Sequence, residues 1–466
     1  MLNYLWLALV TLAALIGGAT GRMKEVTEGA FQMADTAVMK IALPLVGVMA
    51  LWLGLMRLAE RSGLVQQVAR ALRPLMRRLF PDVPADHPAM GSMLMNMAAN
   101  MLGLSNAATP LGLRAMRDLE TLNKNPGTAT NAMCTFLAIN TSSIQLLPTT
   151  AIAILAAQHS KDPTAIVGTA FLATICSTIA GVSAVKWMQN WRIFRIVPEP
   201  ATAAGSSASA AGPHAATAEP EFSVPVEPTP MSLWGRAALG LMLAAFATVL
   251  VWIVFAPAGY HAATAALHAK IFPAHVPLPA WEDTSTQHFA LRAIGALSLL
   301  AVPFLLVFFP LYASLRGVKV YEEFVEGAKE GFQVAIRVIP FLVAILVAIG
   351  MFRGAGGIEA LKSALAPLLT PLGFPPDLLP MVLVRPLSGS ATTALFAELV
   401  QRLGPDALVT RMAGTIFGST ETTFYVIAVY FGSVAVRRAR HAVAAGLIAD
   451  LVGVIASVVI CHLMFA

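Results

Sequence analysis

Two charged residues stand in stretches of the sequence that are otherwise nearly free of charge. Arg385 lies in the motif Val-Arg-Pro-Leu-Ser-Gly, and Glu421 lies in the motif Ser-Thr-Glu-Thr-Thr. A charged side chain at the centre of a bilayer costs about 2.5 to 3.5 kcal/mol on insertion scales unless it is paired or hydrated, so a functional role is the default interpretation. Three interpretations stay open. The two groups pair with each other, they bind the carboxylate and the amine of a substrate, or Glu421 takes up a coupling proton.

Small polar residues surround both charges and also form a second group earlier in the chain. Their hydroxyl and amide groups, together with the dipole ends of short helices, suit a polar or zwitterionic small solute. The alternative is that each side chain only bonds its own helix or a neighbouring helix. The predicted substrate-binding residues are Asn106, Thr109, Asn140, Thr141, Ser142, Ser143, Arg385, Ser388, Ser390, Thr392, Ser419, Thr420, Glu421 and Thr422.

The composition places these residues in a membrane protein. Of the 466 residues, 12% are charged and 57% are hydrophobic, whereas about 25% of the residues in soluble domains are charged. Apolar stretches of about 20 residues, long enough to cross the hydrocarbon core, recur along the chain. We therefore predict an all-α polytopic membrane protein. The formal net charge of +6 fits loops beside a lipid bilayer and not nucleic-acid binding, because no basic run is interleaved with aromatic residues.

The order of motifs repeats, which indicates an internal duplication. A first membrane half at 1–197 and a second at 231–466 flank a segment at 198–230 that is rich in Pro, Ala, Ser and Gly. Such a segment buries too little apolar surface to fold, so we predict a disordered cytoplasmic linker. Each half is predicted to contain an interfacial helix, a re-entrant hairpin and an interrupted transmembrane helix.

The distribution of basic residues predicts that the two halves are inverted-topology repeats. In the first half, arginines accumulate after the helix at 41–58, whereas in the second half basic residues accumulate before the equivalent helix at 339–351. Because cytoplasmic loops carry an excess of Lys and Arg, the halves should insert in opposite directions. This topology puts the N-terminus and the linker in the cytoplasm and the C-terminus outside. Paired helix breaks in two such halves point to a transporter site near mid-membrane.

Several of the motifs resemble a known bacterial family. The first half resembles spore maturation protein A in the runs FPDVPADHPAMG at 80–91, NAATPLG at 106–112 and FLAINTS at 136–142. The second half resembles spore maturation protein B in the runs RPLSGSA at 385–391 and GSTETTFY at 418–425. The chain would be a natural fusion of the two.

The resemblance carries its own expectations. The family belongs to the nucleoside-recognition or Gate group, which includes the Gate regions of ferrous-iron transporter B and is distantly similar to concentrative nucleoside transporters. This resemblance implies hairpins and interrupted helices in an inverted arrangement, substrate held at their tips, a bacterial inner membrane and, from trimeric relatives, a homo-oligomer.

Three functions follow as hypotheses. The leading one is a secondary transporter for a nucleoside, an amino-acid-like compound or a cell-wall metabolite, coupled to H⁺ or Na⁺. The alternatives are a non-transporting assembly or signalling factor of the spore-maturation type and a metal-ion pathway. The sequence contains no HExxH, GxSxG or P-loop motif, so we expect neither an enzyme nor a bound cofactor. No set of residues suggests a metal site, since clustered carboxylates or a Cys or Met arrangement would be needed.

Overall fold

The computed structural model describes residues 2–142, 144–194, 230–273, 276, 284–369 and 373–465. Within these ranges the regular structure is helical, apart from one isolated bridge between Thr128 and Arg438. Six of the described helices are long and apolar enough to cross a membrane. The fold class is therefore confirmed as an all-α polytopic membrane protein. The predicted linker at 198–230 lies outside the described residues except for Pro230.

The first half follows the predicted order of parts. A long helix with a π-helical segment at Thr36–Ala42 leads into an amphipathic helix, a helical hairpin and a broken helix. The turn into the amphipathic helix passes through Gly63, whose φ of 78° disfavours residues with a side chain. The helices of this half are α1 (Leu2–Thr20), α2 (Met23–Arg61), α3 (Leu64–Leu79), α4 (Pro88–Met101), α5 (Ser105–Glu120), α6 (Asn131–Ser142), α7 (Thr149–Ala157) and α8 (Ile166–Met188).

The second half repeats this order after three additional helices. The turn that follows its long helix again uses a glycine with positive φ, Gly356 at 83°. The additional helices are α9 (Leu233–Phe255), α10 (Pro257–Ile271) and α11 (Phe289–Leu315). The repeated elements are α12 (Val320–Gly354), α13 (Gly357–Leu369), α14 (Leu379–Val384), α15 (Gly389–Leu403), α16 (Leu408–Ser419), α17 (Thr423–Gly432) and α18 (Ala442–Phe465).

Equivalent long helices of the two halves pack against each other in opposite directions. A Cβ at Gly29 of α2 would lie 2.5 Å from the carbonyl oxygen of Gly350 of α12, and a Cβ at Gly331 would lie 2.7 Å from the Cα of Ala50. Residues near the start of α2 therefore contact residues near the end of α12, and the two helices run antiparallel. The pair α8 and α18 is also antiparallel, because Gly181 meets Ala449 while Gly453 meets Ser177. Inverted repeats require equivalent helices to run in opposite directions, as these pairs do; how each half is oriented in a membrane stays a prediction.

Candidate functional site

In each half, backbone in the helix break or directly after it is hydrogen-bonded to the neighbouring hairpin near its turn. The amide of Leu146, between α6 and α7, donates to the carbonyl of Met101 at 3.1 Å. The amide of Phe424, just after the break between α16 and α17, donates to the carbonyl of Pro386 at 2.9 Å. Backbone that leaves the helical ladder at membrane depth needs such partners. Each break is therefore held at the tip of its own hairpin.

The two breaks also contact each other across the halves. The amide of Glu421 donates to the carbonyl of Thr141 at 2.6 Å. The side-chain amide of Gln145 donates to Oε1 of Glu421 at 3.1 Å. Polar backbone and side chains from the two repeats therefore meet at one place.

A cavity of about 340 Å³ opens beside these breaks. Its walls come from α2, α12, both hairpin turns and both breaks, and its volume lies in the range of small-molecule sites, about 300 to 1,000 Å³. The polar and aromatic residues that line it are Trp52, Arg57, Glu60, Gln145, Thr149, Thr150, Glu330, Arg385, Ser390, Thr393, Phe417 and Glu421. Of the predicted site residues, Arg385, Ser390 and Glu421 belong to this lining.

Arg385 is a buried cation whose hydrogen-bonding capacity is only partly used. Its side chain is 4% exposed, and its Nη2 donates to the carbonyl of Phe417 at 2.9 Å. The guanidinium carbon lies 5.0 Å from the centre of the Phe417 ring, within cation–π range. Its Nε has no hydrogen-bond partner among the described residues. Within that part of the chain, no ion pair of 4.0 Å or less joins Arg385 to Glu421, so their direct pairing is not observed.

A second group of charges borders the cavity on the long helices. Arg57 of α2 reaches two glutamates of α12, with its Nε 2.7 Å from Oε2 of Glu323 and its Nη1 2.5 Å from Oε1 of Glu330. The sequence prediction did not include Arg57 or Glu330. The criterion that identified Arg385 could also have identified them, because each is a charged residue at the edge of a long apolar helix.

Many of the predicted hydroxyl groups bond their own helix instead of facing the cavity. Ser142 donates to Ala138, Thr392 donates to Ser388, and Ser419 donates to Ile416, each to a main-chain carbonyl. Ser388 caps α15 by accepting from the amide of Ala391. These contacts match the alternative of local bonding, and the role of these residues in substrate binding stays a prediction.

The remaining predicted residues are distributed around the breaks. Asn140 accepts a hydrogen bond from Asn100 at 2.9 Å, which ties α6 to α4. Thr141, Thr420 and Thr422 are buried, whereas Thr109 is half-buried on α5. Ser143 lies outside the described residues, and the side chain of Asn106 is likewise not described.

Comparison with known proteins assigns both halves. The family model described as Gate, nucleoside recognition, matches residues 42–158 and 335–437. The chain is 46% identical over 182 residues to spore maturation protein A of Bacillus subtilis (strain 168), covering 39% of this chain and 92% of that protein. It is 41% identical over 175 residues to spore maturation protein B of the same organism, covering 38% of this chain and 98% of that protein. No solved structure matches.

Proposed function

We propose a function from the premise that this chain belongs to the family of spore maturation proteins A and B, with two segments that match the Gate nucleoside-recognition model. The proposed function is secondary transport of a small polar or zwitterionic solute across the membrane. The Gate description names nucleosides, so nucleosides are one class to test beside amino-acid-like compounds and cell-wall metabolites. The proposal involves no catalysis.

One observation carries the proposal: a single cavity is lined by both hairpin turns and both helix breaks. In membrane proteins, non-helical backbone at membrane depth is tolerated where it is packed in protein or lines a water-filled space. Paired breaks in two repeats are also the feature that marks the site of many secondary transporters. A cavity bounded by two repeats can open to either side when one repeat moves against the other.

The lining supports a solute that carries both charge and apolar surface. Arg385 keeps an unpartnered Nε, and Glu421 accepts one hydrogen bond from the described residues, from Gln145. A carboxylate and an amine of a solute would pair with these two cavity-lining side chains by charge. Trp52 and Met49 line the same cavity and would cover the apolar part of the solute.

The antiparallel packing of equivalent helices supports the inverted insertion of the two halves. Together with the arginine distribution described above, it supports our proposal that the N-terminus and the linker lie in the cytoplasm and the C-terminus lies outside. A bacterial inner membrane, a homo-oligomeric state and coupling to H⁺ or Na⁺ belong to the same proposal.

The names of the two relatives favour one alternative, a membrane assembly or signalling factor of the spore-maturation type that does not move solute. The metal-ion pathway lacks a comparable observation, since the described residues contain no group of three or more His, Cys, Asp or Glu side chains that could hold a metal ion. Elemental analysis of the purified protein tests that pathway directly.

The experiment that tests transport has two steps. First, purified protein is screened for metabolites that raise its melting temperature, because a ligand of the folded state stabilises it by mass action. Second, uptake of each hit is measured in proteoliposomes for the wild type, Glu421→Gln and Glu326→Gln. Glu326 is an exposed glutamate on α12 that pairs with Lys329 and is absent from the cavity lining, so it serves as the matched control.

The transport proposal predicts saturable uptake for the wild type and Glu326→Gln, with a loss of at least tenfold for Glu421→Gln, as expected when a hydrogen bond to a charged group worth about 1.5 to 3 kcal/mol is removed. The assembly alternative predicts no saturable flux of any hit. It also predicts an unchanged biological phenotype for Glu421→Gln.

A further inference from the structure

Asp450 is a buried acid in the third turn of α18. It is the single Asp, Glu, Lys or Arg in that helix, and its side chain is 6% exposed. A charge in such a helix is expensive unless it is compensated, so its surroundings should explain its presence. It is absent from the cavity lining.

The unwound segment between α16 and α17 packs against α18 on both sides of Asp450. Glycines flank Asp450 on α18: a Cβ at Gly446 would lie 2.7 Å from the methyl group of Thr423, and a Cβ at Gly453 would lie 2.8 Å from the methyl group of Thr420. The helix break and the acid are therefore in direct contact. The hydroxyl of Thr423 donates to Oδ2 of Asp450 at 2.6 Å.

Two buried oxygens at this contact have no hydrogen-bond partner among the described residues. One is Oδ1 of Asp450, and the other is Oγ1 of Thr141, whose side chain is 0% exposed. Thr141 is the penultimate residue of α6, beside the same break, and its methyl group lies 3.5 Å from a Cβ built at Gly446. A buried polar atom without a partner costs about 1 to 3 kcal/mol, and more when it is charged. The site thus presents unused oxygen ligands.

The charges around Asp450 do not balance. Arg385 is the cation that interacts electrostatically with both Glu421 and Asp450. One guanidinium is therefore shared by two carboxylates, of which Asp450 is the buried one, and one negative charge is left in excess. None of the helices packed against α18 corrects this. α6 and α17 have no Lys or Arg, and the one lysine of α8, Lys186, lies nine residues beyond Ser177, the residue of α8 that meets Gly453. The one arginine of α16, Arg411, lies over the ring of Phe465 at the far end of α18. The other titratable side chains of these helices are the thiols of Cys134, Cys176 and Cys461, the phenols of Tyr425 and Tyr430 and the ring of His462.

We propose that Asp450 is the binding site for one monovalent cation, a proton or Na⁺, at the break between α16 and α17. Either ion supplies the missing positive charge. A proton would reside on Oδ1, the unpartnered oxygen, whereas Na⁺ would be bound by the carboxylate and the surrounding threonine oxygens. Because Thr420 and Glu421 are consecutive, occupancy of this site acts directly on the segment that carries a cavity residue.

The binding of the ion does not depend on transport, whereas its use to drive solute movement rests on the proposed function. The test therefore uses no solute. Melting temperatures of purified protein are measured from mildly acidic to mildly alkaline pH, in NaCl or in choline chloride at equal ionic strength. The proteins are the wild type, Asp450→Asn, Thr423→Val, and Asp86→Asn as a control that removes a carboxylate whose side chain is 97% exposed.

Two outcomes support the site and identify the ion. If the ion is a proton, Asp450→Asn gains melting temperature relative to the wild type as the pH rises, because Asn is neutral at every pH. In that case Thr423→Val moves the wild-type transition to higher pH, since the carboxylate loses its donor. If the ion is Na⁺, NaCl but not choline chloride raises the melting temperature of the wild type, and Asp450→Asn loses this response.

The proposal is overturned if the wild type and Asp450→Asn have parallel pH profiles and neither responds to Na⁺. Should Asp450→Asn fail to fold, Thr423→Val decides, because an unchanged pH profile together with an unchanged Na⁺ response in that variant contradicts the site. Asp86→Asn should follow the wild type throughout. Loss of solute flux with an intact cation response would contradict the transport function alone.

Discussion

At the scale of single residues, three charged side chains near the breaks each have a neutral hydrogen-bond partner. Arg385 donates to a main-chain carbonyl, Glu421 accepts from Gln145, and Asp450 accepts from Thr423. Neutral partners keep a buried charge in place without cancelling it, and the charge then stays available to a ligand. This arrangement differs from a closed structural ion pair.

The sequence predicted Arg385 and Glu421 because each interrupts an apolar stretch, and both line the cavity. Asp450 is likewise a lone acid in an apolar helix. The sequence prediction did not include it, because the predicted site was restricted to the polar motifs. The hydroxyl residues were harder to assign. A Ser or Thr in a helix can face a cavity or bond the carbonyl four residues earlier with the same sequence pattern, and Ser142 and Thr392 do the latter.

His441 gives a prediction about pH dependence at the residue scale. It follows the basic run at 437–440, a position that suggests contact with solvent, yet it is 0% exposed and its ring lies edge-on to Phe194. Burial, reinforced by the positive charges of Arg440 and Lys186, lowers the pKa of His441 from 6.5 to about 4. The unfolded chain therefore binds a proton more readily, so the free energy of unfolding should fall as the pH drops from about 6.5 toward 4.

Thermal unfolding as a function of pH checks this expectation. His441→Leu should show a weaker loss of melting temperature than the wild type over that interval, because the titrating group is gone. His462→Leu, which removes an exposed histidine, should keep the wild-type profile. Identical profiles for all three proteins would show that His441 does not titrate differently in the folded state.

At the scale of elements, close helix packing positions the cavity. α2 and α12 approach each other through glycines, and both helices line the cavity. Small residues at helix contacts allow such approach in membranes.

The sequence predicted the hairpins and breaks from Pro, Gly and polar residues within apolar stretches. It did not predict the length of α2 and α12, because their first turns are polar and lie outside the hydrophobic stretch that marks a membrane span.

Gly331 tests the role of this contact. A Cβ at this position would lie 2.7 Å from the Cα of Ala50, which is backbone and cannot rotate away. Gly331→Ala should therefore separate α2 from α12 and lower the free energy of unfolding by about 1 to 3 kcal/mol, the usual cost of overpacking. The matched control is Gly47→Ala on α2, where nothing lies within 4 Å of the added Cβ.

Denaturation in detergent measures both variants. Gly47→Ala should be neutral or more stable, because alanine favours helix by up to about 1 kcal/mol over glycine. Equal stability of Gly331→Ala and Gly47→Ala would mean that the close approach of α2 and α12 is not needed for the fold.

At the scale of the whole molecule, the proposed transport site depends on two halves with opposite orientation. Equivalent helices pack antiparallel, and the amphipathic helices α3 and α13 follow the long helix of each half through a similar glycine turn. If the halves are inverted, α3 and α13 lie at opposite membrane surfaces. The positions of the basic residues in the sequence predicted this inverted arrangement. The helix packing supports it through contacts between residues that are far apart in the chain.

Single-cysteine labelling tests the orientation. In a protein with Cys134, Cys176 and Cys461 replaced by alanine, cysteine is introduced at the exposed positions Arg77 of α3 or Glu359 of α13. A membrane-impermeant thiol reagent added to intact cells should modify Glu359→Cys and leave Arg77→Cys unmodified until the cells are opened. Modification of both positions from the same side would rule out inverted repeats.

The proposed transport requires the cavity between the two halves to open in turn to each side of the membrane. Ser390 lines that cavity on hairpin α14–α15. The most direct measurement is therefore the rate at which Ser390→Cys, in the cysteine-free protein, reacts with an impermeant thiol reagent from the outside and, separately, from the inside of sealed vesicles. A cavity that opens in turn to each side predicts reaction from both sides. Reaction from one side only, or from neither, would contradict it.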